Sequence, residues 1–222
     1  MPLLPFMRKR AHKVTLTKLM PDVEALLPPD LPEPWDAQAL FGRVVPLEFE
    51  IGSGRGLFIT QAARAVPDHD FLGVEISNKY ARQCAVLIHK KQLPNAKMVC
   101  GDAEAVLRDH IADQALVAVH IYFPDPWWKR RHRKRRIVNE TVIELVHRKL
   151  VPGGKLHFWT DVEEYFQAGL RSIAHVPGFD GPFEVDEQNV EHDFDYRTHF
   201  ERRTRLNEQP VYRSLFLKTP VS

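Results

Sequence analysis

At 222 residues and 44% hydrophobic, the chain can bury a full core, and it fits one α/β domain with modest additions. No apolar run approaches the roughly 20 residues that cross a bilayer, and the start carries its charges after a very short apolar stretch, which argues against a signal peptide or an anchor. Only Cys84 and Cys100 are present, without Cys-x-x-Cys spacing, so a reduced cytoplasmic protein without a thiolate metal site is expected.

Residues 1–20 carry Arg8, Lys9, Arg10, His12, Lys13 and Lys18, and residues 21–35 hold five of the seventeen prolines. Residues 1–40 therefore read as a basic arm and a stiff Pro-rich linker, and residues 41–222 as the domain proper. The arm could touch a polyanion or simply be a terminus.

The domain opens with a strand at Pro46–Ile51, the turn Gly52-Ser-Gly-Arg-Gly56 and a helix to about Ala65, which is a Rossmann-like unit. Glycines are needed where a chain reverses tightly and where a ligand approaches bare backbone, with a helix N-terminus behind it. The next strand, Asp70–Ile76, carries Glu75 near its end, about 20 residues on, where a carboxylate can accept both hydroxyls of a ribose. Glu50 stands just before the glycines. A dinucleotide pyrophosphate placed there would be repelled, whereas the ammonium and sulfonium of S-adenosylmethionine would welcome a carboxylate, so Glu50 favours a methyl donor over NAD. A third strand, Ala96–Asp102, ends on an acid placed to accept from an adenine amino group. The alternative for each acid singly is a helix N-cap beside a loop.

Ala115–Tyr122 is short, apolar and β-branched, a central parallel strand, and Phe123-Pro-Asp-Pro126 follows it. Asp125 thus falls on a loop at a strand's carboxyl end, where open α/β sheets bind ligands. Four aromatics, Tyr122, Phe123, Trp127 and Trp128, crowd it. Between Lys129 and Arg136, seven of eight residues are Lys or Arg; setting those seven aside leaves 24 cationic against 29 acidic side chains, so the basicity is local. A single-sign block suits nucleic-acid phosphate better than a solvated face of mixed charge or a nuclear-localisation signal.

A helix over Ile137–Leu150, stopped by Pro152-Gly153-Gly154, a strand at Lys155–Thr160 closed by Asp161, and a helix at Glu163–His175 come next. From Phe183 the sequence reads as polar loop, until a final antiparallel strand at Val211–Leu217. His192, Asp193, Asp195 and His199 form the nearest thing to a metal-ligand cluster, in a polar loop without a recognised motif; no metal is expected.

The motifs Glu50–Gly56, Gly73–Ile76, Gly101–Ala103, Phe123–Pro126 with Lys129, Thr160-Asp161 and Thr198-His-Phe-Glu201 together resemble the bacterial tRNA (guanine-N7-)-methyltransferases, which act on guanosine 46 of the tRNA variable loop. The resemblance spans the chain from Phe41 on. It implies a Rossmann-like class I S-adenosylmethionine-dependent methyltransferase, with a mostly parallel sheet and a C-terminal antiparallel strand. It implies that Glu50, Gly52, Gly54, Gly56, Glu75, Asp102, Ala103 and Asp125 serve the donor, with Asp125 also facing the target base. By the same resemblance Lys129, Asp161, Thr198, His199, Phe200 and Glu201 contact substrate. His199 stands where Lys is frequent, and Trp128 where many bacterial members have Pro.

Guanine N7 has an in-plane lone pair and no proton, so methylation there needs no general base, only positioning and charge placement. Asp125 can accept from guanine N1–H and N2–H₂, Trp127 or Trp128 can stack on the base, and Lys129, Arg130, Arg131 and Arg133 can hold phosphates. A monomer or homodimer that needs no obligate protein partner is expected. Three competitors are a Rossmann dehydrogenase, which would place pyrophosphate beside Glu50, a non-catalytic RNA-binding module, which leaves the acid-edged sheet without purpose, and an amino-group methyltransferase, whose Pro-Pro-aromatic loop resembles Pro124–Trp127.

Overall fold

The computed structural model describes residues 20, 22–33, 37–186 and 196–220, with the side chain of Arg133 excepted. A short helix α1 (Ala37–Phe41) leads into β1 (Leu47–Ile51), α2 (Leu57–Ala65), β2 (Asp70–Glu75), α3 (Asn78–Lys90), β3 (Ala96–Cys100), α4 (Ala103–His110) and β4 (Leu116–Tyr122). After a 3₁₀ turn at Arg130–Arg135 come α5 (Glu140–Lys149), β5 (Leu150–Thr160), α6 (Glu163–Ala174), β6 (Phe179–Phe183), α7 (His199–Leu206) and β7 (Tyr212–Lys218). The sheet order is β3-β2-β1-β4-β5-β7-β6, parallel from β3 to β5, with β7 antiparallel to both of its neighbours. The chain reverses direction across the sheet between β1 and β4, the switch point at which such sheets open a crevice beyond their carboxyl ends.

Both sheet faces are covered, which is why the inner strands read as continuous apolar runs. Ile59 and Ala63 of α2 and Ala81, Cys84, Ala85 and Ile88 of α3 pack on Phe71, Ala96 and Met98. On the other face α4, α5 and α6 contribute Val106, Leu107, Val142, Ile143, Val146, Tyr165 and Ile173 against Phe49, Val119, Leu156 and Phe158. A smaller aromatic cluster of Phe58, Tyr122, Phe123 and Trp159 sits at the carboxyl edge. No helix among the described residues is long and apolar enough to cross a membrane.

Four local readings of the sequence are corrected. Residues 22–33 do not span free as a linker: Leu26 N–H donates to Met98 O and Leu26 O accepts from Cys100 N–H, both at 2.8 Å, and Leu31 is in the core. Pro152-Gly153-Gly154 does not separate helix from strand. β5 begins at Leu150, paired with Leu116, and the extra residues are absorbed in a register break before Lys155 pairs with Ala118. β6 was not expected, because an exposed edge strand need show no apolar alternation. Residues 199–206 are helix, not loop. Their only buried side chains are Glu201 and Thr204, so no apolar stripe announces them. The signal that was present is Thr198 followed three residues later by Glu201. Thr198 Oγ1 accepts from Glu201 N–H (3.0 Å), and Glu201 Oε2 accepts from Arg197 N–H (2.7 Å), one residue before the usual capping-box donor. The basic arm at Arg8–Lys18 and the cluster members His192, Asp193 and Asp195 lie outside the described residues.

Candidate active site

β1 alternates Leu47, Phe49 and Ile51 into the core with Glu48 and Glu50 onto the α2 face. The turn after it needs glycine: Gly52, Gly54 and Gly56 have φ of 77°, 53° and 76°. At Gly56 a Cβ would also collide with Cys84 Sγ. Gly52 and Ser53 N–H groups donate to Val74 O, at 2.8 and 3.1 Å. Glu75 completes the anchorage: Oε2 accepts from Gly54 N–H (3.0 Å) and Oε1 from Ser77 N–H (2.8 Å). The acid expected to receive a ribose therefore also sets the glycine turn.

Above this turn lies a cavity of about 400 Å³ lined by Glu50, Gly52, Ser53 and Gly54 on one side and by Thr198, His199, Phe200 and Arg203 on the other. Glu50 is 5% exposed, and its Oε2 has no hydrogen-bond partner among the described residues. Burial, with a further push from the Glu75 charge, raises its pKa to about 8, and the Ser53 hydroxyl offsets this only in part. A buried carboxylate with an orphaned oxygen, in a residue that lines a cavity, calls for a cation. The α-ammonium of S-adenosylmethionine fits that demand, and a pyrophosphate does not.

The remaining expected donor residues line up along the same edge. Asp102 is the N-cap of α4, its Oδ1 accepting from Glu104 N–H at 2.8 Å, so one oxygen is committed to the helix; Ala103 is the first, buried residue of that helix. Ile76, directly after Glu75, is 76% exposed at this edge.

Asp125 lies on the exposed loop after β4. Phe123 and Trp127, two residues to either side of it, both adopt left-handed backbone, with φ of 50° and 44°. Non-glycine residues rarely take that conformation, and such strain concentrates at functional loops. Trp127 is half-buried, with Arg135 over its ring (5.1 Å) and His132 edge-on (5.8 Å), so it holds the basic turn in shape. Trp128 is 61% exposed and remains the accessible flat surface. Phe123 stacks on Phe200 at 6.3 Å, joining the Asp125 loop to the far wall of the cavity.

Lys129, Arg130 and Arg131 are exposed. Arg136 departs from the rest of the basic run. It is buried, donates Nε to Pro126 O (2.7 Å) and lies over the Tyr165 ring at 4.8 Å, so it braces the Asp125 loop and is not free to hold phosphate. Asp161 Oδ2 accepts from Thr204 Oγ1 (3.2 Å), which brings the β5 end against α7. Glu201 is buried and faces Arg213 (3.2 Å) and Arg205 (3.7 Å), a structural set of partners. Arg55, Phe58, Tyr80 and Arg203 also line the cavity without having been singled out. Arg55 stands inside the glycine turn, 5.7 Å over the Tyr80 ring, and that placement in the motif was its one sequence signal. Burial, then the nearby Arg55 and Arg202 charges, lower the pKa of His199. Among the described residues no His/Cys/Asp/Glu group could hold a metal ion.

A protein-family model described as "Putative methyltransferase" matches residues 45–214. A tRNA (guanine-N(7)-)-methyltransferase of Rhodopirellula baltica is 45% identical over 197 residues, covering 86% of this chain and 73% of that one. The enzyme of the same name from Histophilus somni is 33% identical and covers 83% and 73%; that from Cronobacter sakazakii is 41% identical and covers 67% and 62%. Among solved structures, the 16S rRNA methyltransferase KamB superposes with a TM-score of 0.59 at 14% identity (82% of this chain, 92% of that one), and the aminoglycoside resistance methyltransferase NpmB1 with 0.55 at 18% (87% and 94%). At those identities the likeness is one of fold. The family-model match and the curated relatives go further: the chain belongs to the S-adenosylmethionine-dependent methyltransferase family that includes the tRNA (guanine-N(7)-)-methyltransferases.

Proposed function

We propose that the chain methylates N7 of guanine in tRNA, at position 46 of the variable loop, as a cytoplasmic modification enzyme. The observation that carries the reading is the orphaned Glu50 oxygen beside a cavity whose far wall meets the Asp125 loop through Phe123 and Phe200. S-adenosylmethionine, when bound, supplies a methyl group activated by its sulfonium. Glu50 would hold its ammonium, Glu75 its ribose, and Asp102 with the Ala103 N–H its adenine.

The acceptor nitrogen carries no proton, so no side chain has to remove one. The chain's task is to expose and orient the base. Asp125, exposed at the loop tip, can accept from the N1 and N2 donors of guanine and offset the charge that grows on the ring. Trp128 offers the stacking surface, with Trp127 behind it shaping the turn. Lys129, Arg130, Arg131 and Arg133 would track phosphates, so substrate choice would rest on tRNA shape and base exposure more than on edge reading. Incubating the purified chain with S-adenosylmethionine and bulk tRNA, followed by nucleoside analysis, tests this. 7-Methylguanosine is expected, and a methyl group on an exocyclic amine or a ribose would overturn it.

A further inference from the structure

Buried and half-buried polar residues on the α2 side of the sheet are joined in a chain that methyl transfer does not itself require. Glu48 receives His69 Nδ1 and His120 Nε2, each at 2.7 Å. His120 Nδ1 lies 3.0 Å from the Tyr122 hydroxyl, and Arg197 donates an N–H to that same hydroxyl at 3.4 Å. With the carboxylate at Nε2, His120 donates there and accepts at Nδ1. Tyr122 therefore donates to His120 and keeps an oxygen lone pair for Arg197. The bonds run in one direction, from guanidinium through hydroxyl and imidazole to carboxylate, and this arrangement needs His120 neutral. His157, stacked on His120 at 4.8 Å, adds no competing charge, because burial drives its pKa down to about 2.

Arg197 is fixed twice more, over the Trp159 ring at 5.0 Å and through its own N–H to Glu201 Oε2. The next three residues, Thr198, His199 and Phe200, with Arg203 form the far wall of the donor cavity. Tyr122, 75 residues earlier in the sequence, lines the same cavity and stands three residues before Asp125. We propose that Tyr122 and Arg197 are positioning residues: their bond latches the Thr198–Arg203 wall to the strand end that carries Asp125, so the donor pocket and the base-receiving loop are set together. The placement of the base at Asp125 rests on the function proposed above; the latch on the donor pocket does not.

Calorimetric titration with S-adenosylhomocysteine tests it, alongside thermal melting and tRNA binding. Tyr122→Phe keeps the ring and deletes one hydroxyl, so it should lower the melting temperature by about 2–8 °C, leaving the chain folded at 25 °C, yet weaken binding about threefold. Arg197→Ala should weaken it about tenfold, and Arg197→Lys, which lacks the flat guanidinium, should recover less than half of that loss. S-adenosylhomocysteine should tighten tRNA binding about fivefold in the parent and less than twofold in Arg197→Ala. Parent-like titrations in Tyr122→Phe and Arg197→Ala would overturn the latch, and so would undiminished coupling. If Arg197→Ala fails to fold, Tyr122→Phe decides. Because the titration needs no methyl acceptor, a chain that binds S-adenosylhomocysteine as expected but methylates no tRNA would defeat the proposed function alone.

Discussion

Glu50 is a carboxylate whose ordinary pKa of 4.5 is raised to about 8 by burial. The folded chain therefore keeps a proton that the unfolded chain loses. Its contribution to stability is complete below about pH 4.5 and is lost as pH rises toward 8. A ligand bringing an ammonium to Glu50 favours the ionised form, so binding between about pH 6 and 8 should release a proton and tighten as pH rises. Titrating S-adenosylhomocysteine in two buffers of different ionisation enthalpy measures that release. Glu50→Gln should abolish it and raise the apparent donor constant first, and an unaltered release would remove Glu50 from the donor site. Asp125 works at a different moment. The cation on guanine forms only with the transition state, so Asp125→Asn should lower the single-turnover rate by roughly 10²–10³, or about 3–4 kcal/mol, with both substrates saturating and their binding little changed. A rate within threefold of the parent would leave Asp125 as a turn residue. Both acids could be named from sequence because Asp125 stands between two prolines and Glu50 two residues before Gly52. The roles of Arg136 and Glu201 could not, since a buried charge and an exposed one are written with the same letter.

At the scale of elements, the 3₁₀ turn at Arg130–Arg135 concentrates charge on a short exposed segment braced by Trp127 and Arg136. Neutralising Arg130, Arg131 and Arg133 should flatten the salt dependence of tRNA binding by about 0.7–0.9 log units per lost phosphate contact and leave S-adenosylhomocysteine binding untouched. Arg136→Ala should behave otherwise, costing on the order of 1–3 kcal/mol of fold stability through its lost buried hydrogen bond. Equal melting temperatures for Arg136→Ala and Arg130→Ala would refute that division of labour. Helices α2, α5 and α6 were legible because an apolar stripe faces the sheet. Helix α7 was not, because polar and charged partners hold it: Asp161 to Thr204 and Arg213 to Glu201. Hydrophobic period carries no information about an element fixed by ion pairs.

Across the whole molecule, the mostly parallel sheet was legible from apolar runs alternating with helical patterns, and the acids at the strands' carboxyl edge followed from it, whereas the order of the strands comes from the structure. What stayed hidden lies at the two margins of the sheet, where burial is one-sided and pairing depends on partners remote in sequence. Those margins bear on how the protein behaves in a crowded solution. β3 ends the sheet on one side, and its free backbone groups meet the segment around Leu26, followed by Pro28 and Pro29. On the other side β6 carries Pro182 within a broken register. A proline cannot extend a ladder, and an unprotected strand margin is a template for chain-to-chain pairing. Removing residues 1–33 should therefore leave donor titration measurable at low micromolar concentration but produce concentration-dependent association, read by light scattering, that the full chain does not show. Equal scattering from the two would mean that β3 needs no cover. Association of the truncated chain alone would mean that residues 22–33, which touch no substrate in the reading above, owe their place to colloidal behaviour: a strip of chain that keeps one copy of the enzyme from completing the sheet of the next.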